Sequence, residues 1–199
     1  VPSRAGQNGA AERIEGMIEA RTVLGKRTVI VGETGSGKTR LTARILEGLL
    51  ELVDASEVTV IDMAPTTIPG LGYRLSHYTS AVHRVRYLAP REVRAPRLEG
   101  RSVEEVIQLA EFNRNVLESL LELFRKDPTR VLVVNDMTMY FHAGDPNKLA
   151  ECALLAETFL ANAYSGLKLS NDKGSGLTRR ESEALKYFVE RVNADVYYL

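Results

Sequence analysis

The chain has 199 residues, which suits one compact domain with a short appendage. Hydrophobic residues make up 44% and charged residues 26%, a composition that excludes a disordered chain. Lys+Arg and Asp+Glu stand at 26 each, so no net charge advertises a polyanionic partner, and the one cysteine, Cys152, excludes an internal disulfide framework.

Residues 1–9 are small and polar with Pro and Gly among them, and read as a tail. Residues 10–199 then read as a single domain. Ile14, Met17 and Ile18 recur at helical spacing within Ala10–Leu24. Arg27–Val31 is a β-branched run between Gly25 and Gly32, the pattern of a buried strand. Lys38–Val53 places Leu41, Ile45, Leu46, Leu49 and Leu52 on one helical face, and Glu57–Asp62 reads as a second strand.

Pro65, Pro69, Pro90 and Pro96 break the next stretch, in which Val85–Leu88 reads as a short strand. Ser102 and Glu105 form a capping box ahead of a long amphipathic helix that ends before Asp127-Pro128. Val131–Val134 is a third clear strand. Asp145-Pro146 starts a further helix, with Asp as N-cap and Pro at the first helical position. Residues 147–164 fit one long helix or a helix followed by a strand at Thr158–Ala163. Thr, Phe and Leu before a Gly/Ser-bearing exit favour the second. Thr178 and Glu181 match a second capping box before the last helix, and Val196–Leu199 closes as a strand. Strands alternating with helices predict an α/β fold, three layers deep, with a mostly parallel central sheet and helices on both faces.

Gly32-Glu33-Thr34-Gly35-Ser36-Gly37-Lys38-Thr39 matches G-x-x-x-x-G-K-[ST] between a predicted strand and a predicted helix. Its glycines allow successive N–H groups to turn inward as a nest for phosphate oxygens, and the helix adds its positive dipole end. Lys38 would bridge the β- and γ-phosphates, the Thr39 hydroxyl would bind Mg²⁺, and Arg40 follows in the first helical turn. An acid on the metal side is expected at the end of a strand neighbouring the P-loop strand. Val131–Val134 followed by Asn135 and Asp136 supplies it, with Asp136 as Mg²⁺ ligand.

At these residues the chain resembles the P-loop NTPase superfamily, with Gly32–Thr39 as Walker A element and Val131–Asp136 as a Walker B-like element. The resemblance implies a nucleoside triphosphate, ATP by default with GTP as alternative, and Mg²⁺. Val60-Ile61-Asp62-Met63-Ala64-Pro65 is similar to the strand-Asp-x-x-Pro element of the branch holding polynucleotide 5′-kinases and several metabolic GTPases. That likeness makes Asp62 a candidate for orienting the attacking group. The wording GETGSGKT is also that of DEAH-box helicases and secretion ATPases, but Met137 stands where those usually place a catalytic Glu. The guanine-recognition pattern N-K-x-D is absent.

Arg74, Arg84, Arg86, Arg91, Arg94, Arg97 and Arg101 are interleaved with Tyr73, His77, Tyr78, His83 and Tyr87. Such a segment could hold single-stranded nucleic acid or a phosphorylated substrate, or be a solvated and ion-paired surface. Arg179 and Arg180, behind the Ser170–Gly176 loop, are candidate arginine fingers, and His142 and Asp145 lie in a switch-like segment over 136–145. The expectation is an NTPase acting on ATP by default, with phosphoryl transfer to an acceptor such as a polynucleotide 5′-hydroxyl, or nucleotide binding with little turnover, as alternatives. No apolar run is long enough to span a membrane, so the expected setting is the cytoplasm, with a protein partner allowed.

Overall fold

A computed structural model describes residues 18–68 and 71–199. The expected tail at 1–9, most of the helix expected over Ala10–Leu24, and Pro69 lie outside the described residues. Of that helix, one turn at Ala20–Val23 (α1) is described.

The strands are β1 (Arg27–Gly32), β2 (Val58–Asp62), β3 (Arg86–Leu88), β4 (Val131–Asn135), β5 (Thr158–Tyr164) and β6 (Asp195–Tyr198). They form one sheet in the order β3-β2-β4-β5-β1-β6, and every pairing is parallel. The α/β expectation holds, and the sheet is wholly parallel among the described strands. The ambiguous stretch resolves into a helix, α6 (Pro146–Leu155), followed by the strand β5. Strand β4 is not a neighbour of β1, as the sequence reading expected of the acid-bearing strand. Strand β5 lies between them.

Alternation along buried strands builds two cores, one on each face. Val29, Val31, Ile61, Leu132, Val134 and Phe159 point to one side. There they meet α4 (Val103–Lys126) through Leu117, Leu121 and Phe124, and α7 (Leu177–Val192) through Phe188. Ile30, Val58, Val60, Val131, Val133 and Leu160 point to the other, against α2 (Lys38–Leu49) through Leu41, Ile45, Leu46 and Leu49. Two short helices, α3 (Pro96–Glu99) and α5 (Thr138–Phe141), lie at the C-terminal end of the sheet. Phe188 is fully buried and its ring lies 5.5 Å from that of Phe159 and 5.8 Å from that of Phe141. Phe188→Ala is therefore expected to cost about 3–5 kcal/mol of stability. Urea unfolding should show a lower midpoint with an unchanged slope.

Helix α4 starts as expected, with Ser102 Oγ accepting from Glu105 N at 3.2 Å. Its Glu105 carboxylate reaches back one residue further than the capping box predicts, accepting from Arg101 N at 2.7 Å. The second expected box does not form. Helix α7 has Gly176 as N-cap at φ 77°, and Thr178 N donates to Asp172 Oδ2 at 2.9 Å. Among the described residues no helix is long and apolar enough to cross a membrane.

Candidate functional site

The strand registers Gly32↔Tyr164, Val134↔Ala161 and Asp62↔Asn135 bring the C-terminal ends of β1, β5, β4 and β2 to one edge. Ligands in open parallel sheets bind at that edge. A cleft there is lined by Thr34, Gly35, Gly37, Lys38, Thr39 and Arg40 of the loop and helix after β1, and also by Arg97, Asp136, Asn162 and Glu181.

The loop from Gly32 to Gly37 carries left-handed backbone at Gly35 (φ 79°) and Gly37 (φ 96°). A Cβ on Gly35 would meet nothing within 4 Å, so the requirement there is backbone conformation and not space. Ser36 Oγ is buried and has no hydrogen-bond partner among the described residues, an uncommon state for a polar atom unless a ligand supplies the partner. Glu33 turns away from this cradle. Its Oε1 accepts from Thr34 N at 2.8 Å, and its Oε2 accepts from Leu167 N at 2.9 Å and Lys168 N at 3.2 Å. Burial works against ionisation, but these backbone donors outweigh it and hold the Glu33 carboxyl below its ordinary value. Glu33 therefore ties the phosphate loop to the segment after β5 and is not itself presented to a phosphate.

Lys38 Nζ donates to the Glu33 carbonyl at 2.7 Å. Burial lowers its pKa, while Asp136 and Glu33 oppose that shift. Asp136 follows β4 at φ 57°, a strained conformation for a non-glycine residue of the kind that concentrates at functional sites. Asn162 Oδ1 stabilises it by accepting from Asp136 N at 2.9 Å, and Thr138 Oγ1 donates to Asp136 Oδ1 at 3.3 Å. Burial pushes the Asp136 carboxyl up to about 6, with Glu181 adding to the rise and Lys38 and His142 opposing it.

Asp62 is placed differently from the sequence expectation. It is fully buried and does not line the cleft. Its Oδ1 accepts from Asn135 Nδ2 at 2.8 Å and Ala64 N at 3.3 Å; its Oδ2 accepts from Leu75 N at 2.7 Å and Tyr87 OH at 2.8 Å. Four donors occupy the carboxylate and leave no oxygen to receive a proton from an attacking group. Asp62 instead anchors a polar belt beneath the cleft. Asn135 Oδ1 accepts from Asn162 Nδ2 at 2.8 Å, and the same amide nitrogen donates to Thr42 Oγ1 at 3.0 Å. Thr42 Oγ1 in turn donates to the Lys38 carbonyl at 2.9 Å. The belt ties β2, β4 and β5 to the helix that carries Lys38 and Thr39.

The basic segment is mostly engaged within the protein. Arg74 donates to the Pro90 carbonyl, Arg86 pairs with Asp127 at 2.7 Å, and Arg94 pairs with Glu99 at 2.5 Å. Arg97 pairs with Glu181 at 2.7 Å. Arg84, Arg91 and Arg101 are exposed. The rings of Tyr73 and His77 stack with centroids 4.3 Å apart, Tyr78 meets both edge-on, and the Arg40 guanidinium lies 5.9 Å over the Tyr78 ring at the cleft rim. Arg179 is exposed beside Glu183, and Arg180 donates to the Ala143 carbonyl at 2.9 Å, so neither lines the cleft. Asp145 caps α6 through Asn147 N at 2.9 Å.

The sequence reading missed Asn162 and Glu181 as cleft residues. Both left a signal. Asn162 is an amide inside an otherwise apolar strand, and Glu181 sits in the buried stripe Leu177, Glu181, Ala184, Phe188 and Val192.

The model of the family DUF87, Helicase HerA, central domain, matches residues 6–139, and the chain belongs to this family. That membership puts it among the P-loop ATPase-related proteins. No curated protein matches the chain in sequence. Among solved structures it is similar to the Pif1 helicase from Candida albicans, at 15% identity over 100% of this chain and 40% of that one, with a TM-score of 0.39. It is also similar to the Hef helicase domain of Pyrococcus furiosus, at 16% identity over 94% of this chain and 37% of that one, with a TM-score of 0.45. The chain therefore spans about two-fifths of the length of these structures.

Proposed function

We propose that this domain binds ATP with Mg²⁺ and hydrolyses the γ-phosphate. The observation that carries the reading is the cradle at 34–39. Gly35 and Gly37 hold left-handed backbone, Ser36 Oγ is buried with no hydrogen-bond partner among the described residues, and Lys38 and Asp136 line the same cleft. This donor set fits a triphosphate and its metal. Thr39 and Asp136 would hold Mg²⁺, whose chemistry when bound is to neutralise charge on the β- and γ-phosphates. Glycine-loop N–H groups, Ser36 and Lys38 bind and orient the phosphates, and Arg40 borders the same cleft. Asn162 holds the Asp136 backbone, and the Asp62 belt keeps the strand ends in register beneath it.

Nucleic acid is the partner class we propose. The family description names a helicase, and Tyr73 and His77 present a stacked, exposed pair beside the cleft. The cytoplasm is the proposed setting. Incubation with γ-labelled ATP or GTP and Mg²⁺, with and without a 5′-hydroxyl oligonucleotide, tests the reading. Release of free phosphate, faster from ATP, with no label on the oligonucleotide is expected. Labelled oligonucleotide would replace the hydrolase with a kinase. Absence of phosphate release despite nucleotide binding would reject hydrolysis.

A further inference from the structure

The residue after the Walker B-like acid is Met137, fully buried and apolar, so this position supplies no group to handle the attacking water. Another carboxylate enters the cleft from a different element. Glu181, in the second turn of α7, is buried and lines the cleft together with Lys38 and Asp136.

Its environment divides its two oxygens. Oε2 accepts from the Arg97 guanidinium at 2.7 Å and lies 2.6 Å from His142 Nε2. Arg97 also donates to Thr178 Oγ1 at 3.3 Å, and its guanidinium lies 5.5 Å over the Tyr164 ring. All three members of the cluster are buried: Arg97 at 6%, His142 at 3% and Glu181 at 4% exposure. The hydrogen bonds of the carboxylate to Arg97 and His142 all run through Oε2, none engages Oε1 among the described residues, and the residue lines the cleft. A cleft-lining carboxylate held through one oxygen by a cation and an imidazole, with no hydrogen bond on the other, has the form of a positioned acceptor. Arg97 and His142 fix the side chain so that no rotamer search precedes use of Oε1.

Building on the ATPase reading, we propose that Glu181 is the catalytic residue that orients the attacking water through Oε1. The water oxygen forms a bond to the γ-phosphorus as the bond from that phosphorus to the β–γ bridging oxygen breaks. The bridging oxygen leaves on the nucleoside diphosphate, and the water proton passes to Glu181 Oε1 and on to solvent. ATP and water give ADP, phosphate and one proton, with no oxidant or reductant. A carboxylate in this role contributes about 10²–10⁴-fold to the rate.

The test compares this chain with Glu181→Gln and Glu181→Asp, reading phosphate release, nucleotide affinity and thermal melting on the same preparations. Gln keeps the size and removes the base. Asp keeps the charge for Arg97 and withdraws the oxygen by one methylene, so it serves if the Gln variant does not fold. The expected result is a fall in kcat of about 100-fold for Gln and at least about 10-fold for Asp, with nucleotide affinity unchanged. A folded variant of either kind that hydrolyses at the parent rate overturns the role of Glu181 and leaves the ATPase reading standing. A parent chain that binds nucleotide and releases no phosphate overturns both.

Discussion

Lys38→Ala is expected to abolish phosphate release to within background, a loss of about 10²–10³-fold or more. The argument rests on where the ammonium sits. Its Nζ is held on the Glu33 carbonyl, inside the turn that Gly35 and Gly37 shape. Burial already lowers its pKa, with Asp136 and Glu33 opposing the shift, so it is a partly desolvated cation. Triphosphate oxygens would pair with it, and the charge that develops as the γ-phosphate leaves would be met by a group already in place. Alanine removes this without disturbing the backbone donors. Nucleotide affinity should fall, and the fold should survive because the packing face of α2 is carried by Leu41, Ile45, Leu46 and Leu49. Phosphate release at the parent rate would remove Lys38 from the chemistry and with it the reading of the loop as a triphosphate site.

The parts of this site that were legible in the sequence are those whose chemistry is local. A phosphate nest needs glycines, a lysine and a hydroxyl within one turn of chain, so Gly32–Thr39 is written contiguously. An acid at the end of an apolar run is equally local, and Asp136 was found by it. The alternation of strands and helices followed from periodicity, and it extended to the short final strand β6. What stayed hidden depends on tertiary pairing. Asp62 looked like a strand-end acid free to act, because the donors that occupy it come from 13, 25 and 73 residues further along the chain. Arg97 looked like one of a basic group, although its partner Glu181 lies 84 residues away. Strand order is hidden for the same reason. Nothing in the run Thr158–Tyr164 states that it inserts between the P-loop strand and the acid-bearing strand, yet that insertion places Asn162 under Asp136.

Asp136→Asn should separate function from stability in a direction opposite to most core substitutions. Burial is the chief reason that the Asp136 carboxyl is pushed up to about 6, against an ordinary 3.8, and Glu181 in the same cleft adds to the rise. A raised folded-state value means that the fold prefers the protonated acid. The stability tied to this group is fully present below the unfolded-state value and is lost as pH rises through about 6. Asparagine cannot ionise and keeps an oxygen for Thr138 Oγ1, so the variant escapes that loss. Near neutral pH and above it should be more stable than the parent by on the order of 1–3 kcal/mol, and the two should converge as pH falls below the ordinary carboxyl range. The same change deletes the proposed Mg²⁺ ligand and should cut phosphate release by about 100-fold or more. Urea unfolding at several pH values, run beside the phosphate assay, reads both effects. Equal stability of the two proteins at alkaline pH would show that the carboxyl is not held up by its surroundings. Undiminished Mg²⁺-dependent turnover would show that the metal is held elsewhere. A gain in stability together with a loss of turnover is the signature of a carboxyl that the fold alone holds protonated and a bound cation would hold ionised.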